Sequence, residues 1–171
     1  MKIILNKGRY SFKERDITYQ VKEDLVFELE DSFYFISGNN GIGKTGFIEL
    51  LLIPLLQKNK FNFAYLAQNQ NNQQYTIQAS LAFSNKFNKS KNLYINWFET
   101  VEHPQILIAD EFDKYKATFH KILCTTVNCV FLVSHLTTKK DYPQFNNIKN
   151  VKISFGANEE RIVTLENNDN V

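Results

Sequence analysis

The stretch Gly38-Asn-Asn-Gly-Ile-Gly-Lys-Thr45 matches the phosphate-binding loop pattern G-x-x-x-x-G-K-[ST] at every fixed position. Its first and last glycines allow turns that residues with a β-carbon resist, so the loop's amide groups can point inward at an anion. In such a loop Lys44 reaches the β- and γ-phosphates, and the Thr45 hydroxyl is placed to bind Mg²⁺. Because the chain has only six glycines, a chance match is the weaker interpretation.

The residues on either side of this loop supply the context that the motif requires. Ser32–Ser37 is an apolar run of strand type. Gly46–Ile53 suits a buried helix, which Pro54 would end or kink. A strand, a glycine loop and a helix in this order predict a nucleotide site with the positive end of the helix facing the phosphates.

Composition and charge narrow the class of protein. A chain of 171 residues that is 43% hydrophobic and 22% charged predicts one globular domain. The net charge of +2 comes without a block rich in Lys and Arg, which argues against a nucleic-acid surface. Cys124 and Cys129 have no metal-type spacing with a histidine, so we expect buried thiols in a reducing compartment.

Targeting signals are not evident in the sequence. The N-terminus has no signal-peptide pattern, and the longest apolar run, 47–56, contains Glu49 and Pro54. That run is too short to span a bilayer. We therefore expect a cytoplasmic protein that is peripheral on the membrane through a partner.

The hydrophobic pattern predicts strands at the start of the chain and alternating strands and helices after it. Segment 1–31 contains four expected strands: Lys2–Leu5, Arg9–Phe12, Ile17–Val21 and Leu25–Leu29. Later strands are expected at Phe61–Ala67, Gln105–Ala109 and Asn128–Val133, with a closing hairpin of Val151–Phe155 and Arg161–Leu165. Helices are expected over most of 75–101 and over 113–124, and the amide-rich run 68–74 is predicted to be a polar loop.

Charged residues at the ends of two predicted strands complete a nucleotide site. The strand Gln105–Ala109 delivers Asp110 to the sheet edge, where its carboxylate can hold Mg²⁺ opposite Thr45. Glu111 follows, placed to polarise an attacking water as a general base. The strand ending at Val133 leads to His135, a candidate sensor of the γ-phosphate.

Four of these features together resemble the ATP-binding domain of the ABC superfamily: the phosphate loop, Tyr65-Leu-Ala-Gln68, Ile108-Ala-Asp-Glu111 and Leu132-Val-Ser-His135. The resemblance spans most of the chain. It implies an α/β P-loop NTPase fold of ABC type. In that fold a central, mostly parallel sheet is flanked by helices, with an N-terminal antiparallel β subdomain and a reduced helical subdomain. Within a single domain, 1–171, the parts would be 1–31, 32–68, 69–103 and 104–171.

The resemblance also implies roles for individual residues, with ATP and Mg²⁺ as cofactors. Gln68 would be the lid-loop glutamine that contacts Mg²⁺ and the attacking water, with Gln70 as its rival. Glu111 and His135 would complete the catalytic set. The metal ligands would be Thr45, Gln68 and Asp110. The residues of the phosphate loop would hold the nucleotide: Gly38, Asn39, Asn40, Gly41, Ile42, Gly43, Lys44, Thr45 and Gly46.

An aromatic residue upstream of the phosphate loop stacks on adenine in this family. Tyr10 lies at the expected distance, and Phe12 competes with it. Packing of a core aromatic in a β-strand is an equally good interpretation of either residue.

The sequence departs from the family pattern in its signature motif. No Leu-Ser-Gly-Gly-Gln-type sequence precedes Asp110, and the corresponding segments, Phe83–Phe87 or Lys86–Ser90, have no glycine. In the family this motif acts on ATP bound by the opposite subunit. A homodimer would therefore lack that contact, whereas ATP binding by this chain does not depend on it. After Glu111 the usual turn is shortened to Phe112-Asp113.

The predicted function is that of an ATP-binding subunit of an ABC transporter. It would pair with a second nucleotide-binding subunit, identical or different, and drive a separate membrane permease. A soluble ABC-like ATPase of nucleic-acid repair, chromosome handling or defence is the alternative, but the chain has neither a long insertion after Gln68 nor a basic stripe. A regulatory pseudo-ATPase that binds ATP without turnover is a third hypothesis.

Overall fold

The computed structural model describes residues 1–68, 70–83, 93–100, 104–111, 127–134 and 145–167. Their strands are β1 (Lys2–Leu5), β2 (Gly8–Phe12), β3 (Ile17–Val21), β4 (Leu25–Glu28), β5 (Ser32–Ser37), β6 (Phe63–Leu66), β7 (Ile106–Ala109), β8 (Cys129–Leu132), β9 (Asn147–Phe155) and β10 (Arg161–Asn167). The helices are α1 (Lys44–Phe47), α2 (Ile53–Lys58), α3 (Gln70–Phe83) and α4 (Leu93–Thr100). The helix predicted at 113–124 and Cys124 lie outside the described residues.

Eight of the described strands form one sheet in the order β2-β3-β10-β9-β5-β8-β7-β6. The five strands from β9 to β6 in this order are all parallel to one another. Strands β9 and β10 form the predicted antiparallel hairpin, although β9 begins earlier than predicted, at Asn147. The protein is thus a mixed α/β fold with a mostly parallel central sheet.

The N-terminal strands pair as predicted but do not form one separate unit. Strands β1 and β4 make a two-stranded antiparallel sheet, and β2 and β3 make an antiparallel pair. The β2–β3 pair then joins the main sheet because β3 lies parallel to β10. The antiparallel entry expected over 1–31 is therefore divided between two sheets.

Strand β5 is buried on both faces, as the central strand of a parallel sheet should be. Tyr34 and Ile36 face one core, which contains residues of β1, β4 and α1. Phe33 faces the other core, together with residues of α3 and α4. Tyr34 stacks on Phe131 at 4.8 Å between ring centroids, and Phe27 of β4 meets both rings edge-on. This aromatic cluster fixes the small sheet against the large one.

The helix after the phosphate loop does not end at Pro54. A π-helical turn, Ile48–Leu52, joins α1 to α2, and α2 continues through Pro54 to Lys58. Proline has no N–H, and its ring clashes with the carbonyl four residues earlier in a regular α-helix. The wider turn placed just before Pro54 accommodates the ring, so the helix adjusts locally instead of stopping.

The prediction of a polar loop at 68–74 is wrong, because α3 begins at Gln70. Glutamine is a good helix former, and the amide composition does not distinguish a loop from a helix that has polar partners. The helical prediction for 75–101 is confirmed in its described parts, and α4 buries Tyr94 and Phe98, one turn apart. No helix within the described ranges is long and apolar enough to cross a membrane.

Candidate functional site

Parallel strands bring the predicted site residues to one edge of the sheet. The pairings β5–β8, β8–β7 and β7–β6 place the carboxyl ends of these strands side by side. The phosphate loop follows β5, Asp110 follows β7, and Gln68 comes two residues after β6. The amide of Asp110 donates to Leu66 O at 2.9 Å, which ties the ends of β7 and β6 together. Ligands of open α/β sheets bind at this edge.

The phosphate loop has the backbone geometry that its glycines permit. Gly38 has φ 145° and Gly43 has φ 102°, both in the region that residues with a β-carbon rarely adopt. A β-carbon at Gly38 would also lie 2.5 Å from the carbonyl oxygen of Ile153 in β9. The loop therefore lies directly against the neighbouring strand. This explains the glycine at its first position.

Lys44 folds back over the loop that precedes it. Its ammonium donates to Gly38 O at 2.9 Å and to Asn39 O at 3.1 Å, and the side chain is only 9% exposed. Burial lowers the pKa of Lys44, while the charges of Asp110 and Glu111 act in the opposite direction. The ammonium is thus bonded to the loop carbonyls and is influenced by the charges of two carboxylates. An approaching polyphosphate would offer it stronger, charge-assisted hydrogen bonds.

Asp110 is a buried carboxylate, 1% exposed at the end of β7. Burial raises the pKa of Asp110, a hydrogen bond from the Thr45 side chain lowers it, and the charges of Glu111 and Glu49 raise it further. Its Oδ2 atom has no hydrogen-bond partner among the described residues. A buried carboxylate oxygen of this kind is costly without a partner, which a cation would provide.

Gln68 links the phosphate loop to the acidic pair, Asp110 and Glu111. Its carbonyl oxygen lies 3.4 Å from the Thr45 hydroxyl, whose single proton it shares with Asp110, and its amide nitrogen donates to Glu111 Oε1. Glu111 has φ 53°, an uncommon conformation for a residue with a long side chain. Strained backbone of this kind is found most often at functional sites. Three of the residues predicted from sequence are therefore joined in one hydrogen-bonded chain.

Gln73 was not singled out from the sequence, yet its side chain binds the backbone of the residues just before Gln68. From α3, its side-chain oxygen accepts from Ala67 N at 3.0 Å, and its amide nitrogen donates to Tyr65 O. A parallel neighbouring strand would bond β6 in the same way. The side chain therefore completes β6 on the side away from β7, just before Gln68. Nothing in the amide-rich run distinguishes Gln73 from its neighbours. Gln70, the rival of Gln68, is the first residue of α3.

Tyr19 is a second residue that the sequence did not mark as part of the site. It is fully buried in β3, and its hydroxyl donates to Gly43 O at 2.6 Å. The alternation of Ile17, Tyr19 and Val21 predicts an inward-facing tyrosine, but it does not predict what the hydroxyl touches.

Tyr10 and Phe12 line a groove of about 450 Å³ beside the helix that follows the phosphate loop. The Tyr10 hydroxyl donates to Asn6 O at 2.7 Å, and the Phe12 ring meets Tyr19 edge-on at 6.4 Å. The described residues lining this groove are Ile4, Leu5, Asn6, Tyr10, Phe12, Leu50, Leu51, Pro54, Leu55 and Lys58. None of them belongs to the phosphate loop, and adenine stacking by Tyr10 or Phe12 stays a prediction.

His135 lies outside the described residues, as do Lys86–Ser90, where the signature motif was sought, and most of Phe83–Phe87. Strand β8 is present as predicted, and Val133 N donates to Ala109 O at 2.9 Å beyond the end of the strand. Ser134, the last described residue before His135, therefore follows β8 at the same edge of the sheet that carries Asp110. The role of His135 stays a prediction.

The residues around Thr45 fit Mg²⁺ better than a transition metal. No group of three His, Cys, Asp or Glu side chains suited to a metal is found among the described residues. Mg²⁺ is usually bound by one or two carboxylates plus substrate phosphates and water, all with oxygen ligands. The Thr45 hydroxyl, the Gln68 carbonyl and the unpartnered Asp110 oxygen supply three such oxygens.

This arrangement is a mixed α/β fold with a phosphate-loop motif at the carboxyl edge of a mostly parallel sheet. Among solved structures, an RNase-L inhibitor has the same fold with a TM-score of 0.55, at 10% identity over 97% of this chain. An archaeal ribosome recycling factor, solved with a ribosomal stalk protein, gives 0.52 at 11% identity over 98%. The chain spans 40% and 39% of the lengths of these two proteins.

A metal-chelate type ABC transporter in an inward-facing conformation gives a TM-score of 0.52 at 10% identity, over 98% of this chain and 84% of the matched chain. No family model and no curated protein matches the sequence. The likeness to solved structures therefore lies in the fold alone, which is ABC-like.

Proposed function

We propose that the protein is an ABC-type ATPase that binds MgATP at the phosphate loop and hydrolyses it with Glu111 as general base. One observation carries this proposal. Thr45, Gln68 and Glu111, from three separate parts of the sequence, form one hydrogen-bonded chain beside the loop. The sequence patterns predicted Thr45 and Glu111, and the family resemblance added Gln68.

The loop fits a triphosphate through its own chemistry. Lys44 already holds a position over the loop, where its two carbonyl contacts can be exchanged for phosphate oxygens. The amides of the loop and of the first turn of α1 add donors around the same point. Thr45, Gln68 and Asp110 would hold Mg²⁺, which would neutralise charge on the phosphate oxygens when bound.

Hydrolysis requires a base beside the phosphate and a means of orienting it. Glu111 accepts a hydrogen bond from the Gln68 amide, so its carboxylate is held toward the loop. In that position it can take a proton from an attacking water. The Gln68 carbonyl, which meets Thr45, orients the same region from the metal side. His135 would sense the γ-phosphate from the end of β8.

The partner that we propose is a second nucleotide-binding chain. The missing glycines of the signature motif leave this chain without the donors that would act on ATP bound by an opposite subunit. A heterodimer with a chain that carries an intact signature would supply them at this site. A homodimer would bind two MgATP molecules without that contribution.

We further propose that this pair drives a separate membrane permease, on the cytoplasmic face of the membrane. The support is the absence of a long insertion after Gln68 and of a basic stripe in the sequence. A soluble role is the second candidate. The observation in its favour is that the fold resembles a ribosome recycling factor as closely as it resembles a transporter.

Calorimetric titration of the purified chain with MgATP tests the binding step. We expect a measurable heat of binding, a rise in melting temperature with MgATP, and a weaker response when Mg²⁺ is removed with EDTA. Absence of both heat and thermal protection would reject the proposal.

Purification of the tagged chain from its own cells tests the role. A permease and a second ATP-binding chain in the membrane fraction would support transport. Recovery of the chain only with soluble nucleoprotein would replace transport with the second candidate.

A further inference from the structure

We propose that Tyr19 is a positioning residue, which holds the phosphate loop in its anion-binding conformation and sets the orientation of the Lys44 amide. This inference rests on the proposed nucleotide binding and deepens it. Tyr19 lies 19 residues before the loop, in a strand that the motif does not include. The sequence pattern of the phosphate loop says nothing about it.

The Tyr19 contact is made at Gly43, where the phosphate loop leads into α1. The Tyr19 hydroxyl donates to Gly43 O at 2.6 Å, and the same oxygen accepts the first helical hydrogen bond from Phe47 N at 2.9 Å. In a trans peptide the C=O and N–H groups point in opposite directions. Holding Gly43 O toward the core therefore turns the Lys44 N–H away from the core, into the hollow of the loop.

Tyr19 is well suited to this task because its ring is held by close packing. Its side chain is fully buried, and its ring lies edge-on to Phe12 at 6.4 Å and to Phe47 at 6.3 Å. The two rings restrain it from either side. Its hydroxyl is the only polar group on the ring, and it is used on the loop.

Tyr19 also explains why the position after Thr45 is a glycine. A β-carbon at Gly46 would lie 2.5 Å from the Tyr19 hydroxyl oxygen, while the next contacts are Ile17 Cδ1 at 3.4 Å and the Tyr19 ring at 3.7 Å. Gly46 has an ordinary helical conformation that alanine can adopt. The hydroxyl alone therefore excludes a larger residue at this position.

These two facts make a double-mutant cycle possible. Tyr19→Phe removes the hydroxyl and nothing else, and we expect MgATP to bind about three- to tenfold more weakly, as for one lost hydrogen bond. Gly46→Ala in the wild-type background should weaken binding by about five- to a hundredfold through the clash. In the Tyr19→Phe background, Gly46→Ala should have little further effect, because the clashing oxygen is gone.

Tyr34→Phe is the matched control. Tyr34 is equally buried, and its hydroxyl donates to a backbone carbonyl, Glu28 O at 3.0 Å, remote from the loop. Tyr34→Phe should lower the melting temperature by a similar amount but leave MgATP affinity unchanged. Affinities are measured well below each melting temperature, so that loss of stability alone does not alter them.

Two results would overturn the inference: wild-type affinity in Tyr19→Phe, or an equal effect of Gly46→Ala in both backgrounds. Melting temperatures of the four proteins without nucleotide give the same cycle independently of binding. If the wild-type chain does not bind MgATP, the proposed function fails. Coupling in the thermal cycle then still decides whether the Tyr19 hydroxyl packs against the turn at Gly46.

Discussion

The phosphate loop and the acidic edge beside it, which consists of Gln68, Asp110 and Glu111, are built differently. Within the loop, Lys44 bonds Gly38 and Asn39, and Phe47 bonds Gly43, so each contact spans at most six residues. At the acidic edge, Gln68 reaches Thr45 across 23 residues and Glu111 across 43. The binding loop is therefore mostly local, whereas the edge that would carry out hydrolysis depends on the sheet. Substitutions should be able to separate binding from turnover.

The largest effect is expected for Glu111→Gln. The change keeps an oxygen to accept from Gln68 but removes the base, so turnover should fall by about a hundredfold to ten-thousandfold. MgATP affinity should stay near that of the wild type because the loop is intact. Steady-state hydrolysis and calorimetry on the same preparation measure the two effects.

Glu49→Gln is the control for this substitution. Glu49 is another carboxylate close to Asp110, paired with Arg15 at 2.6 Å. It should retain most of the turnover. Unchanged hydrolysis in Glu111→Gln would show that another group is the base.

Lys44→Ala should act mainly on binding. It removes a charge-assisted contact to the phosphates, and affinity should weaken by roughly 1.5–3 kcal/mol, about ten- to a hundredfold. Lys22→Ala removes the same charge from an exposed position outside the site. Equal affinities in the two variants would contradict the assignment of the loop.

Gln73→Ala tests whether the acidic edge depends on its distant support. The substitution removes the side chain that bonds Ala67 N and Tyr65 O next to Gln68. We expect turnover to fall by about three- to tenfold, with MgATP affinity unchanged. Gln78→Ala, at an exposed position of the same helix, should leave both unaltered. A loss of affinity equal to the loss of turnover would mean that the two regions are not separable.

The difference between local and long-range contacts also explains which parts of the site could be predicted from the sequence. The phosphate loop was predicted in full because its residues are adjacent and each fixed position has a physical reason. Glu111 was predicted from its place after an apolar strand, and Gln68 only through the family resemblance, since no local pattern links it to Thr45 or Glu111. The structure brings these three residues together.

Tyr19 and Gln73 could not be predicted, because each acts through a backbone group of a distant segment. An inward tyrosine in a strand and one glutamine among several have no distinctive spacing. The loop predicted for the amide-rich run is wrong for a related reason: composition does not distinguish a polar loop from a helix of good helix formers with polar partners. Strand bounds, by contrast, follow local apolar runs and agree within a few residues.

Asp110→Asn should reveal a cost in stability that the acidic edge carries. Burial raises the pKa of Asp110, so the folded state holds its proton more readily than the unfolded chain does. The stability from this group is fully present below the unfolded pKa and is lost as pH rises through the higher folded value. At neutral pH the buried carboxylate therefore destabilises the protein without ligand.

Asp110→Asn removes that charge, so the melting temperature without nucleotide should rise by a few degrees at neutral pH and match the wild type in acid. The same variant should lose the dependence of ATP affinity on Mg²⁺. Asp16→Asn, at an exposed carboxylate with a left-handed backbone that asparagine also adopts, should change neither property. A lower melting temperature in Asp110→Asn would mean that Thr45 and Lys44 already stabilise the carboxylate without a cation. The acidic edge would then be stable without a cation, as the loop is stable without a phosphate.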